Sequence, residues 1–168
     1  MQENMIEASM RTQKRAYLSI SDWQAIELAM LNQDIDVNFL MANLVISWGS
    51  DAVWAIEDRL DWLIQELLLQ APIALLSDSD YCFGNWEYQN TISLSLSDET
   101  VGFRNGQAQV VYFPKQPLIR SQLERATQMI ELLQRIHLYQ PIQNIAIIPH
   151  LQKLWTDGQQ LYTARYEP

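Results

Sequence analysis

Hydrophobic and polar positions along the chain change period near Pro72. Before it, apolar residues recur at three- and four-residue spacing, the mark of amphipathic helices. Ser21-Asp22-Trp23-Gln24 is a capping-box pattern, so a first helix is predicted from about Asp22 to Leu31. Asp36 caps a second helix through Phe39, Leu40, Leu44 and Val45, and Trp48-Gly49 ends it. Ser50 opens a third, whose main stretch is AVWAIEDRLDWLIQELLLQ (52–70) and which Pro72 closes. Its apolar stripe is Val53, Ile56, Leu60, Ile64 and Leu67. At about 100° per residue, Trp54, Trp62 and Leu69 fall on the far side, beside Asp58, Asp61 and Gln65. Such a helix is either covered by two layers or keeps one face for a partner.

Beyond Pro72 the period shortens. TISLSLS (91–97) alternates strictly, with Ile92, Leu94 and Leu96 on one face. ETVGFR and QAQVVYF flank Asn105-Gly106, a type I′ hairpin signal, in a register that sets Val101 opposite Val110 and Phe103 opposite Ala108. IALL (73–76) and CFGNWEYQ (82–89) are weaker strand candidates. Residues 117–139 return to a helical period, with Ile119, Leu123, Ala126, Ile130 and Leu133 as the stripe. Arg120, Glu124, Gln128, Glu131 and Arg135 lie opposite, Glu131 and Arg135 as a favourable i,i+4 pair. NIAIIP (144–149) and LQKLWTDGQQLYTARY (151–166) predict closing strands that turn at Asp157-Gly158, with a single helical turn after Pro149 as the alternative for the segment before that turn. Residues 1–20 show no period and read as a partly ordered N-terminal lead.

The predicted class is α+β, a single domain over 21–168. A three-helix N-terminal unit (helical part 21–71) packs with an antiparallel sheet of about four to six strands and one further long helix (72–168). A chain of 168 residues buries roughly 70% of its unfolded surface, enough for a self-sufficient core.

Charge changes the picture of partners. The net charge is −9, yet only 18% of residues are charged; the imbalance comes from scarce bases, 3 Lys and 8 Arg, while 18 Gln supply polar surface. An acid-leaning surface repels phosphate backbones, so direct nucleic-acid binding is not expected, whereas a basic protein partner is compatible. One cysteine, Cys82, permits no internal disulfide. The opening residues MQENMIEASMRTQKR contain no apolar run, and no segment reaches the roughly 20 apolar residues of a membrane span. The expected compartment is therefore the cytoplasm.

Candidate chemistry is sparse. Asp78 and Asp80 follow an apolar run and could share Mg²⁺ or Mn²⁺, but Ser-Asp-Ser-Asp also caps turns well. His137 and His150 are too few for a typical zinc site; the first suits a helix C-terminus and the second a turn. Cys82, in an apolar-aromatic segment, reads as core unless a histidine activates it. The aromatic surplus carries more information. Trp48, Trp54, Trp62, Tyr81, Trp86 and Tyr88 crowd the mid-chain with Asp51, Glu57, Asp58, Asp61, Asp78, Asp80 and Glu87. Aromatic anchors among acids suit a surface that binds a basic protein.

The expected function is a non-catalytic acidic protein-binding domain, such as an inhibitor, immunity-type or anti-defence protein, with no cofactor. Its expected interface is Trp54, Asp58, Asp61, Trp62, Leu69, Asp78, Asp80 and Trp86. The Trp62/Leu69 side of the third helix is expected to be partly exposed in the monomer and covered in an assembly. The alternatives are a small enzyme using Asp78/Asp80 or Cys82, a dedicated client chaperone, and a homo-oligomer.

Overall fold

The protein is described from a computed structural model covering residues 4–168. Its class is α+β, with two four-stranded antiparallel sheets. The first sheet comprises β1 (Ile6–Arg11), β2 (Tyr17–Ser19), β3 (Met41–Trp48) and β4 (Ala52–Arg59), ordered β2-β1-β3-β4. Helix α1 (Trp23–Leu31) lies between β2 and β3, and Asp22 caps it by accepting the Ala25 N–H at 3.1 Å.

Within residues 21–59 only α1 is helical, so the expected three-helix unit is replaced by a hairpin. The segment satisfies both periods: Leu44, Ile46, Trp54 and Ile56 alternate at strand spacing, while Leu40 and Leu44, and Val53, Ile56 and Leu60, keep helical spacing. Dense β-branched and aromatic residues favour the pleat. Gly49, at φ +63°, turns the chain so that Trp48 pairs with Ala52. Strand parity then sorts the side chains. Trp54, Ile56 and Asp58 point into the core, whereas Val53, expected on the core stripe, is exposed on the outer face. Nor is the N-terminus a lead. Its first three residues lie outside the described residues, but β1 is an inner strand, and Ile6, Ala8 and Met10 are buried against Ile46, Leu44 and Ala42.

The true helix begins at Leu60 and runs through three registers: α2 (Leu60–Leu63), a π-helical segment (Ile64–Gln70) and α3 (Ala71–Leu76). Pro72 lies inside this rod instead of ending it, and IALL is helical. Within the π-helical segment the Ala71 N–H reaches back five residues to the Glu66 carbonyl. The next donor in that register would come from residue 72, and proline has none. The Leu67 carbonyl is satisfied from outside, by Gln122 Nε2 at 2.8 Å. Leu60, Leu63, Ile64, Leu67, Leu68 and Leu69 are all fully buried, whereas Asp61, Trp62, Gln65 and Gln70 keep partial exposure, so the rod is covered over most of its surface.

The second sheet is a meander of β5 (Tyr81–Gly84), β6 (Thr91–Leu96), β7 (Thr100–Asn105) and β8 (Val111–Pro114). Asn105-Gly106 does turn the chain, but the register differs by three residues: Val101 pairs with Phe113 and Phe103 with Val111. The sheets meet where β4 packs beside β8, and Trp54 stacks on Phe103 at 4.9 Å. Helix α4 (Lys115–Tyr139) lays its expected stripe on the rod. Helix α5 (Ile147–Tyr166) replaces the expected closing strands. Its Asp157-Gly158 is no turn: Gly158 is buried, and a Cβ there would lie 2.9 Å from Leu123 Cδ2 of α4. Glycine here serves close helix approach, which a turn motif mimics.

Candidate functional site

Because β4 is a strand, Asp58 shares the inward parity of Trp54 and Ile56 and is fully buried. A buried carboxylate needs donors. It has two, the backbone N–H groups of Arg59 and Trp86, each at 2.8 Å. Burial raises its pKa above the usual carboxylate value, although both N–H bonds oppose that shift. The bond to Trp86 ties the loop after β5 to the first sheet. Asn85, also buried, closes the same loop: its N–H donates to the Asn90 carbonyl at 2.7 Å and its Oδ1 accepts the Tyr88 N–H at 2.9 Å. The backbone is held inside while Trp86 and Tyr88 remain mostly exposed, at 61% and 58%.

Around Trp86 the chain assembles a mixed aromatic and charged surface. Trp62 stands perpendicular to it with centroids 6.3 Å apart, its indole N–H donating to the Gly84 carbonyl at 2.8 Å. The Arg59 guanidinium carbon lies 5.8 Å from the centroids of both Trp86 and Phe39. Asp61 accepts from Arg59 Nη2 at 2.9 Å and from the Trp62 N–H at 2.9 Å. Further along, Arg11 pairs with Glu57 and lies 3.6 Å from Glu87. The Tyr17 hydroxyl donates to Glu57 at 2.9 Å, and that hydrogen bond is the main cause of its raised phenol pKa. Phe39 and Tyr17 are each 52% exposed. A hollow of about 190 Å³ adjoins Arg59 and Asp61, walled by Val37, Leu40, Leu133 and Ile142.

Of the residues expected at an interface, Asp58, Asp61, Trp62 and Trp86 converge here, with Asp58 acting from below. Trp54 and Leu69 are core: one stacks between the sheets, the other sits in the buried π-helical segment. The expected Trp62/Leu69 face is split: Trp62 is partly exposed, but Leu69, seven residues on, is fully buried, because 52–59 is not helical and the π-helical segment turns Leu69 into the core. Asp78 and Asp80 lie elsewhere and act separately. Asp78, at φ +57°, accepts from Arg165 at 2.9 Å and lies 3.6 Å from Lys115 Nζ; Asp80 accepts the Leu96 N–H at 2.7 Å. The Arg165 bond chiefly holds the Asp78 carboxyl below its usual value. Among the described residues no three or more His, Cys, Asp or Glu side chains are grouped to hold a metal ion. Cys82 is exposed on the outer face of β5, not core. His137 accepts the Ile142 N–H at 3.1 Å at the end of α4, and His150 is exposed in the first turn of α5.

Phe39, Arg59, Arg11 and Tyr17 escaped the sequence reading. Reading 52–59 with period two would have placed Glu57 and Arg59 together on the face opposite Trp54. No protein-family model matches the chain, and comparisons with curated proteins and with solved structures find no match. No helix among the described residues is long and apolar enough to cross a membrane.

Proposed function

We propose that this protein is a non-catalytic binding domain that occupies a basic protein partner through the surface around Trp86, as an inhibitor, immunity-type or anti-defence protein does. The observation that carries this reading is that Trp86 is largely exposed while its backbone is fixed by the buried Asp58 carboxylate. An aromatic anchor held in place before binding loses little conformational entropy on association. Trp, Tyr and Arg are the residue types that dominate binding energy, and Phe39 and Tyr88 extend the anchoring area. The net charge of −9 favours encounter with a cationic surface.

The test is capture from extracts of the native cell by the tagged wild-type protein and by a Phe39→Ser/Trp86→Ser variant. The wild type is expected to retain a basic protein that elutes with salt, and the folded variant is expected to lose it. Identical proteins on both baits would refute the assignment.

A further inference from the structure

Arg59 occupies a slot whose chemistry is not particular to Arg59. Its guanidinium lies over two rings, Phe39 and Trp86, at 5.8 Å from each, and is neutralised by Asp61 at 2.9 Å. Both rings are more than half exposed, and the Arg59 side chain itself retains 33% of its exposure. Cation–π contacts and ion pairs at such accessible positions are weak, so the resident side chain is exchangeable. The surroundings favour another cation as its replacement: Glu57, Glu87 and Asp61 rim the patch, Asp58 lies beneath it, and Arg11 is already engaged by Glu57. An acidic segment would meet these carboxylates.

We infer that the Phe39–Trp86–Asp61 slot receives an arginine side chain of the basic partner, and that Arg59 is its internal placeholder, swinging out when the partner docks. This rests on the preceding assignment of the Trp86 surface as the binding face. An incoming guanidinium finds the same two rings and the same carboxylate, now shielded from water by the partner, where both contacts strengthen. Arg59 reduces the fraction of molecules with an open slot, and so discriminates against isolated arginines in favour of one presented on a complementary surface.

Titration with N-acetyl-arginine methylamide, followed by the indole N–H resonances of Trp86 and Trp62, tests the slot directly. The Arg59→Ala protein, with its slot vacated, is expected to show saturable shifts at about tenfold lower ligand concentration than the wild type. The uncharged isostere N-acetyl-citrulline methylamide is expected to give no saturable shift in either. Arg59→Gln serves the same purpose if Arg59→Ala does not fold. Equal responses of wild type and variant, an equal response to citrulline, or no saturable response at all would overturn the inference. The two levels separate in the capture experiment. If Arg59→Ala loses the partner as completely as Trp86→Ser does, Arg59 itself enters the partner and the slot inference falls while the binding face stands. If Trp86→Ser keeps the partner, the binding face falls first.

Discussion

Asp58 shows how one side chain sets the position of another. Removing its carboxylate leaves two inward backbone N–H groups, those of Arg59 and Trp86, without acceptors. Asp58→Ala is therefore expected to lower stability by about 1–3 kcal/mol. The pH dependence has a definite sign. Burial raises the folded-state pKa of Asp58, so the folded protein keeps this proton to higher pH than the unfolded chain does. The part of its contribution that depends on this proton is full below the ordinary carboxylate range and is lost as pH rises through the raised value. Urea denaturation of wild type and Asp58→Ala across mildly acidic pH should give a gap that narrows with rising pH. A gap that widens would contradict the assignment of burial as the dominant cause.

At the scale of elements, the rod of residues 60–76 depends on a repair. Pro72 cannot serve the Leu67 carbonyl, and Gln122 does so from α4. Gln122→Leu is expected to cost about 1–3 kcal/mol, the usual penalty of an orphaned buried acceptor. In a Pro72→Ala background the restored amide N–H can serve Leu67, so the same change should cost less. A double-mutant cycle read by chemical denaturation checks this, and additivity would refute it. Gly158→Val should lose about 2–3 kcal/mol, since added methyl groups would enter the buried contact with Leu123. A thermal melt unchanged from wild type would show that α4 and α5 can separate at no cost. These same features explain what the sequence revealed. Helices α1 and α4 were readable because a cap-rich start and a long single-period stripe left no competing pattern, although the cap of α1 is Asp22 and not the Ser21 of the capping-box pattern. Residues 41–59 were not, because their apolar spacing fits both periods and pairing with β1 decides between them; β1 itself alternates, with Ile6, Ala8 and Met10 inward, but over only six residues. Helix α5 was hidden because Asp157-Gly158 carries a turn signal that tertiary packing overrides. Trp86 was singled out by residue type, and Trp62, Asp58 and Asp61 by a helical face that residues 52–59 do not form. Their convergence, and the addition of Phe39 and Arg59, required knowing that the loop after β5 docks on the first sheet.

At the scale of the molecule, the candidate surface is composite: Trp86 and Tyr88 come from the loop that joins β5 to β6, Phe39, Arg59, Arg11 and Tyr17 from the first segment of the chain. Net charge acts at longer range than any of them. With −9 overall, association with a basic partner should slow as ionic strength rises, over a screening length of about 8–10 Å near physiological salt. The aromatic anchors act after contact and govern dissociation. The most direct test of the account is therefore the dissociation rate of the captured partner from wild type and from Trp86→Ser, with the folding stability of both measured alongside. Trp86→Ser should dissociate at least about thirtyfold faster, equivalent to roughly 2 kcal/mol, with stability changed by no more than about 0.5 kcal/mol. An unchanged dissociation rate, or a variant that unfolds, would show that Trp86 is not a binding anchor.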